Sequence, residues 1–189
     1  PTQPGYWPVG HDGVTPGAAA AFNTATLDLA FNDLMKAPEY NTQAILLAHN
    51  GKLVRKAYQA GYSDSNRFTG WSMSKTVTAI TLGVAHKRLR NFSLDESAAR
   101  FYPSWRGTSR EAITLRHLLN MESGLNWDEN YEGKSTTSEM YYGSRDMAAY
   151  VATRPLAYTP GSRFYYSSGD TMLLSGIVRQ LAGGTLQAS

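Results

Sequence analysis

A serine and a lysine stand at a spacing that suits nucleophilic catalysis. Ser72 and Lys75 lie three positions apart at the predicted start of a helix. Because residues i and i+3 share one helix face, the Ser72 hydroxyl and the Lys75 amine can meet. Backbone N–H groups at a helix N-terminus can hold an oxyanion, and a partly desolvated lysine can take the serine proton. The pair indicates acyl transfer through a serine, although an N-capping serine beside a solvated lysine explains the same residues.

Tyr166 is the second candidate for chemistry, because a phenol can carry a proton between a serine, a lysine and a leaving group. It begins the Tyr-x-Ser match Tyr166-Ser167-Ser168. Two competing matches to the same pattern are Tyr142-Gly143-Ser144 and Tyr165-Tyr166-Ser167. A loop tyrosine beside an N-capping serine is the alternative interpretation.

Several other chemistries are excluded by residue types that are missing. The chain has no cysteine, which excludes disulfides, cysteine-based zinc sites and thiol nucleophiles. The nucleophile motif Gly-x-Ser-x-Gly is absent, and the four histidines form no metal-binding pattern. His117 lies in a predicted apolar helix and is interpreted as a structural imidazole. We therefore expect neither a metal nor an organic cofactor.

Net charge and hydropathy argue against nucleic-acid binding and against a membrane-spanning segment. The net charge is +3, but the basic residues are scattered, and their one cluster, residues 86–90, lies at a predicted helix end, where cations suit the helix dipole. Nucleic-acid binding is therefore not expected. The longest apolar runs are far shorter than the roughly 20 residues that span a bilayer, so no membrane span is expected either.

The order of the predicted elements is helix, hairpin and then mostly helices, which indicates an α+β fold. Residues 1–17 are predicted to form an irregular arm, and residues 18–189 to belong to one domain. Asn50-Gly51 between two apolar runs is a strong hairpin signal. The predicted elements are a helix over 18–36, strands over 43–48 and 52–58, and helical segments over 72–89, 94–103, 114–121, 144–153 and from 170 onward. In the segment over 72–89, an apolar stripe is predicted at spacings of 4, 3 and 4 residues, formed by Met73, Val77, Ile80 and Val84.

Three stretches together resemble the serine β-lactamase-like and penicillin-binding superfamily. They are residues 68–76 (FTGWSMSKT), 113–125 (ITLRHLLNMESGL) and 160–170 (PGSRFYYSSGD), and they occur in the family's order. The middle stretch is the most specific. The resemblance covers about residues 40–185 and lies on the side of the class C β-lactamases, D-alanyl-D-alanine carboxypeptidases, esterases and 6-aminohexanoate-dimer hydrolases.

The resemblance implies a role for each matching residue. Ser72 resembles the acylated nucleophile, Lys75 its base partner and Tyr166 the tyrosine that relays the proton. Ser168 falls where many relatives carry an asparagine that binds the substrate amide. The resemblance thus implies a serine hydrolase that cleaves an amide or ester in a small molecule, with the choice among β-lactam, D-alanyl peptide, linear amide and ester left open. A non-catalytic penicillin-binding-like sensor is the alternative.

One family element has no counterpart in the sequence. Relatives carry a Lys/His/Trp-x-Gly strand well downstream of the tyrosine, and nothing after Ser168 fits it. We therefore expect a β-lactamase/transpeptidase-like antiparallel sheet with a helical region, truncated before the last strands, whose missing C-terminal segment is a partner of these residues. The isolated piece is expected to be weakly active or inactive. The resemblance also favours a periplasmic or extracytoplasmic location.

Aromatic residues crowd the predicted helical region. Some of them could line an acyl pocket above Ser72, and ordinary packing is the alternative for each. They are Trp105, Trp127, Tyr131, Tyr141, Tyr142 and Tyr150.

Overall fold

The computed structural model describes residues 14–183, and the chain divides into two compact units between Thr69 and Gly70. In the first unit, α1 spans Thr24–Lys36, β1 Ala44–His49 and β2 Lys52–Tyr58. In the second unit, the helices are α2 (Met73–Leu89), α3 (Leu115–Leu119), α4 (Thr136–Ser138), α5 (Met147–Ala152) and α6 (Ser168–Leu181). A π-helical turn over Glu139–Gly143 continues α4. Most of the predicted arm, residues 1–13, lies outside the described residues, and its boundary at residue 17 stays a prediction.

The hairpin is confirmed. β1 and β2 pair antiparallel, from Ala44 opposite Tyr58 to His49 opposite Lys52, with an irregularity between Leu47 and Ala48. Asn50 and Gly51 have φ angles of 49° and 73°. Positive φ at both central residues is what a type I′ turn requires, which is why Asn-Gly favours it. These two strands form the sheet in the part of the chain that the structure describes.

The first predicted helix begins later than expected. A 3-10 turn over Ala18–Ala21 ends at Phe22, whose backbone is extended. Asn23 then caps α1, its side-chain oxygen accepting a hydrogen bond from the Thr26 N–H at 3.0 Å. An N-cap residue has non-helical φ/ψ, so the chain cannot continue one helix through this point.

The apolar stripe predicted for α2 is not its packed face. Val77 and Ile80 are 63% and 62% exposed, whereas Leu82 is fully buried. α2 carries apolar residues on more than one face, so periodicity alone could not select the face that packs. Packing within residues 70–189 selects the side that carries Leu82 and the half-buried Ala85.

The shorter helical segments are present, but each covers fewer residues than predicted. The segment over 94–103 contains a 3-10 turn at Ala98–Arg100, and a second turn follows at Pro103–Trp105. α3 begins after Thr114, whose hydroxyl accepts the His117 N–H, while His117 Nδ1 accepts the Thr114 N–H. The prediction that His117 is structural is therefore confirmed. α5 begins after Asp146, which caps it through the Ala149 N–H.

The core of the second unit surrounds α6. Leu173 and Ile177 are fully buried, and Trp105 is buried with its Nε1–H donating to the Ala152 carbonyl at 2.8 Å. The Tyr102 hydroxyl donates to the Leu173 carbonyl at 2.7 Å. The Tyr102 hydrogen bond holds the middle of α6, a helix that begins two residues after Tyr166. Between residues 14 and 183, no helix is both long and apolar enough to cross a bilayer.

Candidate active site

Ser72 and Lys75 meet at the start of α2. Ser72 occupies the N-cap position, but its hydroxyl makes no capping hydrogen bond within the described chain. Instead the Lys75 Nζ donates to the Ser72 Oγ at 3.0 Å. The preceding residue, Trp71, has a φ of 43°. A bulky residue in the left-handed region costs on the order of 1–3 kcal/mol, and such strain clusters at functional sites.

Tyr166 lies beside the same lysine. The Lys75 Nζ is 5.0 Å from the centroid of the Tyr166 ring. The Ser72 hydroxyl and, more weakly, the Lys75 side chain hold the pKa of the Tyr166 phenol below its usual value of 10, against burial, which raises it. A lowered pKa makes the phenol a better proton carrier near neutral pH. The structure therefore brings Ser72, Lys75 and Tyr166 together.

Backbone hydrogen bonds from the middle signature place the tyrosine. The carbonyl of Met121 accepts the Tyr165 N–H at 2.9 Å, and that of Glu122 accepts the Gly161 N–H at 2.8 Å. The Gly124 carbonyl accepts the N–H groups of residues 157 and 158 at 2.8 and 3.0 Å. Residues 121–125 therefore hold the segment over 157–165 in place, and this segment leads directly to Tyr166.

Ser168, by contrast, is fully buried at the start of α6. Its backbone N–H donates to the Glu129 Oε2 at 2.7 Å, and its hydroxyl donates to the Glu129 Oε1. The hydroxyl is therefore directed at a carboxylate within the protein. A role for Ser168 in substrate binding stays a prediction.

Glu129 is a residue that the sequence patterns did not single out. Its carboxylate also accepts hydrogen bonds from the Trp127 indole N–H and from the Tyr131 hydroxyl, the latter at 2.6 Å. Burial acts to raise the pKa of Glu129, but the hydrogen bonds from Ser168, Tyr131 and Trp127 outweigh it and hold the pKa below its usual value. Glu129 is thus a fixed anion. The one signal in the sequence is that the carboxylate stands between two aromatic donors, which is a pattern too common to predict a site.

A cavity of about 390 Å³ opens beside Ser72 and Lys75. Aromatic side chains form much of its wall, and the remaining lining residues are mostly hydroxyl-bearing or apolar. The aromatic lining residues are Trp71, Tyr131, Tyr141 and Tyr142, and the others include Ser74, Thr78, Thr171 and Met172. Three of the six aromatic candidates from the sequence therefore line this cavity, whereas Trp105 lies in the core.

Asp170 is a buried carboxyl next to this site. It is 1% exposed; its Oδ1 accepts the Ser123 hydroxyl at 2.7 Å, and its Oδ2 has no hydrogen-bond partner among the described residues. Burial raises its pKa to about 7, although hydrogen bonds from Ser123 and Ser167 oppose the shift. Asp170 joins the middle signature to the first turn of α6.

We expect Asp170 to make the protein less stable as pH rises. Below about pH 4 the carboxyl is protonated in both states, and between pH 4 and 7 only the unfolded chain releases the proton. Stability conferred by the neutral form is lost over that interval, by on the order of 4 kcal/mol. Asp170→Asn should flatten the decrease in Tm between pH 4 and 8, measured by calorimetry.

The control for this measurement is Asp95→Asn. Hydrogen bonding to Arg116 lowers the pKa of exposed Asp95, so this carboxyl stabilises the fold at higher pH and that contribution disappears as pH falls. The two variants should change the pH dependence of Tm in opposite directions. A wild-type Tm that does not fall relative to Asp170→Asn between pH 4 and 7 would contradict the assignment.

The described side chains form no candidate metal centre. Within residues 14–183, no group of three or more histidine, aspartate and glutamate side chains is arranged to hold a metal ion.

Comparison with known proteins gives one family and a set of similar folds. The family model described as Beta-lactamase matches residues 27–189. A protein of Escherichia coli (strain K12), named "Putative D-alanyl-D-alanine carboxypeptidase", is 31% identical over 99 residues, which are 49% of this chain and 23% of that protein.

Solved structures give the same fold. The chain superposes on the "Putative 6-aminohexanoate-dimer hydrolase from Bacillus anthracis" with a TM-score of 0.62 and 21% identity, covering 83% of this chain and 43% of that one. On a class C beta-lactamase in complex with cefoxitin, the TM-score is 0.57 at 24% identity, covering 86% and 45%. This chain thus spans less than half the length of these relatives. The β-lactamase/transpeptidase-like fold predicted from the sequence is confirmed.

Proposed function

The chain belongs to the beta-lactamase family of hydrolases, and from that premise we propose that it cleaves an amide or ester through an acyl-enzyme on Ser72. The observation that carries this proposal is the convergence of three groups: the Lys75 Nζ is 3.0 Å from the Ser72 Oγ and 5.0 Å from the centre of the Tyr166 ring. A nucleophile within hydrogen-bonding reach of its proton acceptor is the arrangement that covalent catalysis needs.

In the first step the Ser72 Oγ attacks the substrate carbonyl carbon, and its proton passes to the Tyr166–Lys75 pair. The lowered pKa of Tyr166 supports its role as the immediate acceptor, with the Lys75 ammonium stabilising the phenolate. The C–N or C–O bond then breaks as the same proton moves to the leaving group.

In the second step a water molecule attacks the acyl-enzyme. The Tyr166 phenolate, stabilised by the Lys75 ammonium, accepts the water proton and returns it to the Ser72 Oγ, which restores the free hydroxyl. The relay thus begins and ends in the same protonation state. No cofactor takes part in this scheme.

The substrate class follows from the relatives only as a proposal. Their names include a D-alanyl-D-alanine carboxypeptidase, a 6-aminohexanoate-dimer hydrolase and a β-lactamase bound to cefoxitin, all of which act on or bind carbonyl compounds. The bond common to these compounds is an acyl bond to nitrogen. We therefore propose a small-molecule amide or ester as the substrate.

A fluorophosphonate probe tests the nucleophile in the natural protein that contains this chain. We expect one covalent adduct, which peptide mapping by mass spectrometry places on Ser72 and which Ser72→Ala abolishes. Ser104→Ala, which changes an exposed serine of the same unit, should leave labelling unchanged. Labelling that persists in Ser72→Ala would refute the assignment.

Turnover separates a hydrolase from a sensor. With p-nitrophenyl acetate, a hydrolase releases many equivalents of nitrophenol per protein, whereas a penicillin-binding-like sensor releases one equivalent and stops. Continuous release supports the proposal, and a single burst supports the sensor alternative.

A further inference from the structure

The cavity beside Ser72 presents a row of aromatic rings to whatever is bound there. The rings of Tyr131 and Tyr141 are stacked, with centroids 6.5 Å apart and an interplanar angle of 25°. Tyr142 follows at 6.5 Å from Tyr141, and its side chain is 91% exposed. Aromatic rings favour offset-stacked or edge-to-face contact with flat apolar groups.

A carboxylate is bound to the first tyrosine of this row. The Tyr131 hydroxyl donates to the Glu129 carboxylate at 2.6 Å, and Trp127 and Ser168 supply that carboxylate with its other donors. Both carboxylate oxygens therefore accept two hydrogen bonds each. Glu129 is already saturated with donors inside the protein, so it can affect a ligand only as a charge that stands behind Tyr131, which lines the cavity.

The positive charge of the site lies beside Ser72. Lys75 is the only lysine or arginine that lines the described cavity, and its Nζ is held at the Ser72 hydroxyl. A group held against Tyr131 lies near Glu129, which repels an anion there. An uncharged group does not meet this repulsion.

We propose that the row formed by Tyr131, Tyr141 and Tyr142 is an acyl-binding subsite for flat, uncharged groups, from which Glu129 excludes acyl groups that carry a carboxylate. This inference rests on the proposed function, because it concerns the acyl group delivered to Ser72. Two like charges several ångströms apart in a partly buried site repel enough to change a rate constant about five- to tenfold.

The test compares esters of equal size in the natural protein that contains this chain. The p-nitrophenyl esters of 4-carbamoylphenylacetate and 4-carboxyphenylacetate present a neutral and an anionic acyl group of matching shape. We expect kcat/KM for the neutral ester to exceed that for the anionic ester at least fivefold.

Glu129→Gln should then bring the neutral-to-anionic ratio close to one, because the glutamine keeps the size of the side chain and removes its charge. A general loss of activity from the altered hydrogen-bond network would lower kcat/KM for both esters by the same factor, so it would not change their ratio. Glu139→Gln is the matched control: Glu139 accepts a hydrogen bond from Tyr150, which does not line the cavity, whereas Glu129 accepts one from Tyr131, which does. The ratio should therefore not change in Glu139→Gln.

A second variant covers the case in which Glu129→Gln does not fold. Tyr142→Ala removes an exposed ring and should leave folding intact, while the preference for phenylacetate over acetate falls several-fold. Equal rates for the neutral and anionic esters, or an unchanged preference in Tyr142→Ala, would overturn this inference alone. Absence of hydrolysis of every ester, together with no labelling of Ser72, would overturn the proposed function.

Discussion

Replacing Lys75 with methionine is expected to lower kcat for ester hydrolysis by about 10²–10⁴-fold, the contribution typical of a positioned proton-transfer group. Methionine keeps an unbranched apolar stem but removes the amine that lies 3.0 Å from the Ser72 Oγ. The Tyr166 phenolate, which accepts the Ser72 proton, then loses the ammonium that stabilises it. Pre-steady-state measurement of acylation gives the rate constant directly.

The pH profile distinguishes a lost proton carrier from a disturbed fold. Lys75 is one of the groups that lower the pKa of the Tyr166 phenol, so removing it should raise that pKa. The acid limb of the residual kcat/KM profile should therefore move to higher pH. A merely loosened structure would lower the rate without this displacement.

Lys87→Met is the control for this experiment. Lys87 is exposed on the same helix, and its replacement makes the same chemical change away from Ser72. Its activity should remain within twofold of wild type. Wild-type acylation by folded Lys75→Met would exclude Lys75 from the relay.

Replacing Gly124 with alanine should produce the largest loss of stability among the glycine positions near the site. Gly124 has a φ of 74°, and an added Cβ would lie 2.2 Å from the Tyr158 carbonyl oxygen. That atom belongs to the backbone segment that Gly124 itself binds, so it cannot move aside without breaking those hydrogen bonds. We expect a cost above about 3 kcal/mol, from a left-handed backbone and from steric overlap.

The measurement is urea unfolding, with Gly107→Ala as the matched control. Gly107 has a φ of 70°, and an added Cβ there meets nothing within 4 Å. Its alanine variant therefore reports only the left-handed penalty of about 1–2 kcal/mol. The excess loss in Gly124→Ala measures the close approach of the two segments. Equal losses of unfolding free energy in the two variants would contradict this prediction, because they would show that the backbone at 157–158 moves aside at little cost.

The features predicted correctly from the sequence are local ones. The hairpin follows from Asn50-Gly51, because few other residue pairs accept positive φ twice in succession. The proximity of Ser72 to Lys75 follows from the pitch of a helix, which brings i and i+3 to one face. The start of α3 follows from the Thr114 side chain, which satisfies a backbone N–H that the helix leaves unpaired.

Where local signals compete, the predictions were less accurate. The helix expected over 18–36 begins only at Thr24, because Asn23 can cap a helix as well as occupy one. For α2, apolar residues on several faces left periodicity without a unique answer, and the predicted stripe with Val77 and Ile80 is exposed. Which face of a helix is buried depends on the elements that pack against it.

Tyr166 and Glu129 mark the limit of what the sequence determined. The motif order suggested that Tyr166 belongs with Ser72, but its approach to Lys75 depends on backbone hydrogen bonds from Met121 and Glu122. Nothing in the sequence indicated that Glu129 would gather donors from α6 and from two aromatic residues. Backbone geometry fixes contacts within one turn of chain, whereas contacts between distant segments exist only once the whole unit has packed. The sequence therefore specified the serine and lysine pair and, by resemblance, the phenol, whereas the tertiary structure decided how Tyr166 approaches Lys75 and added Glu129.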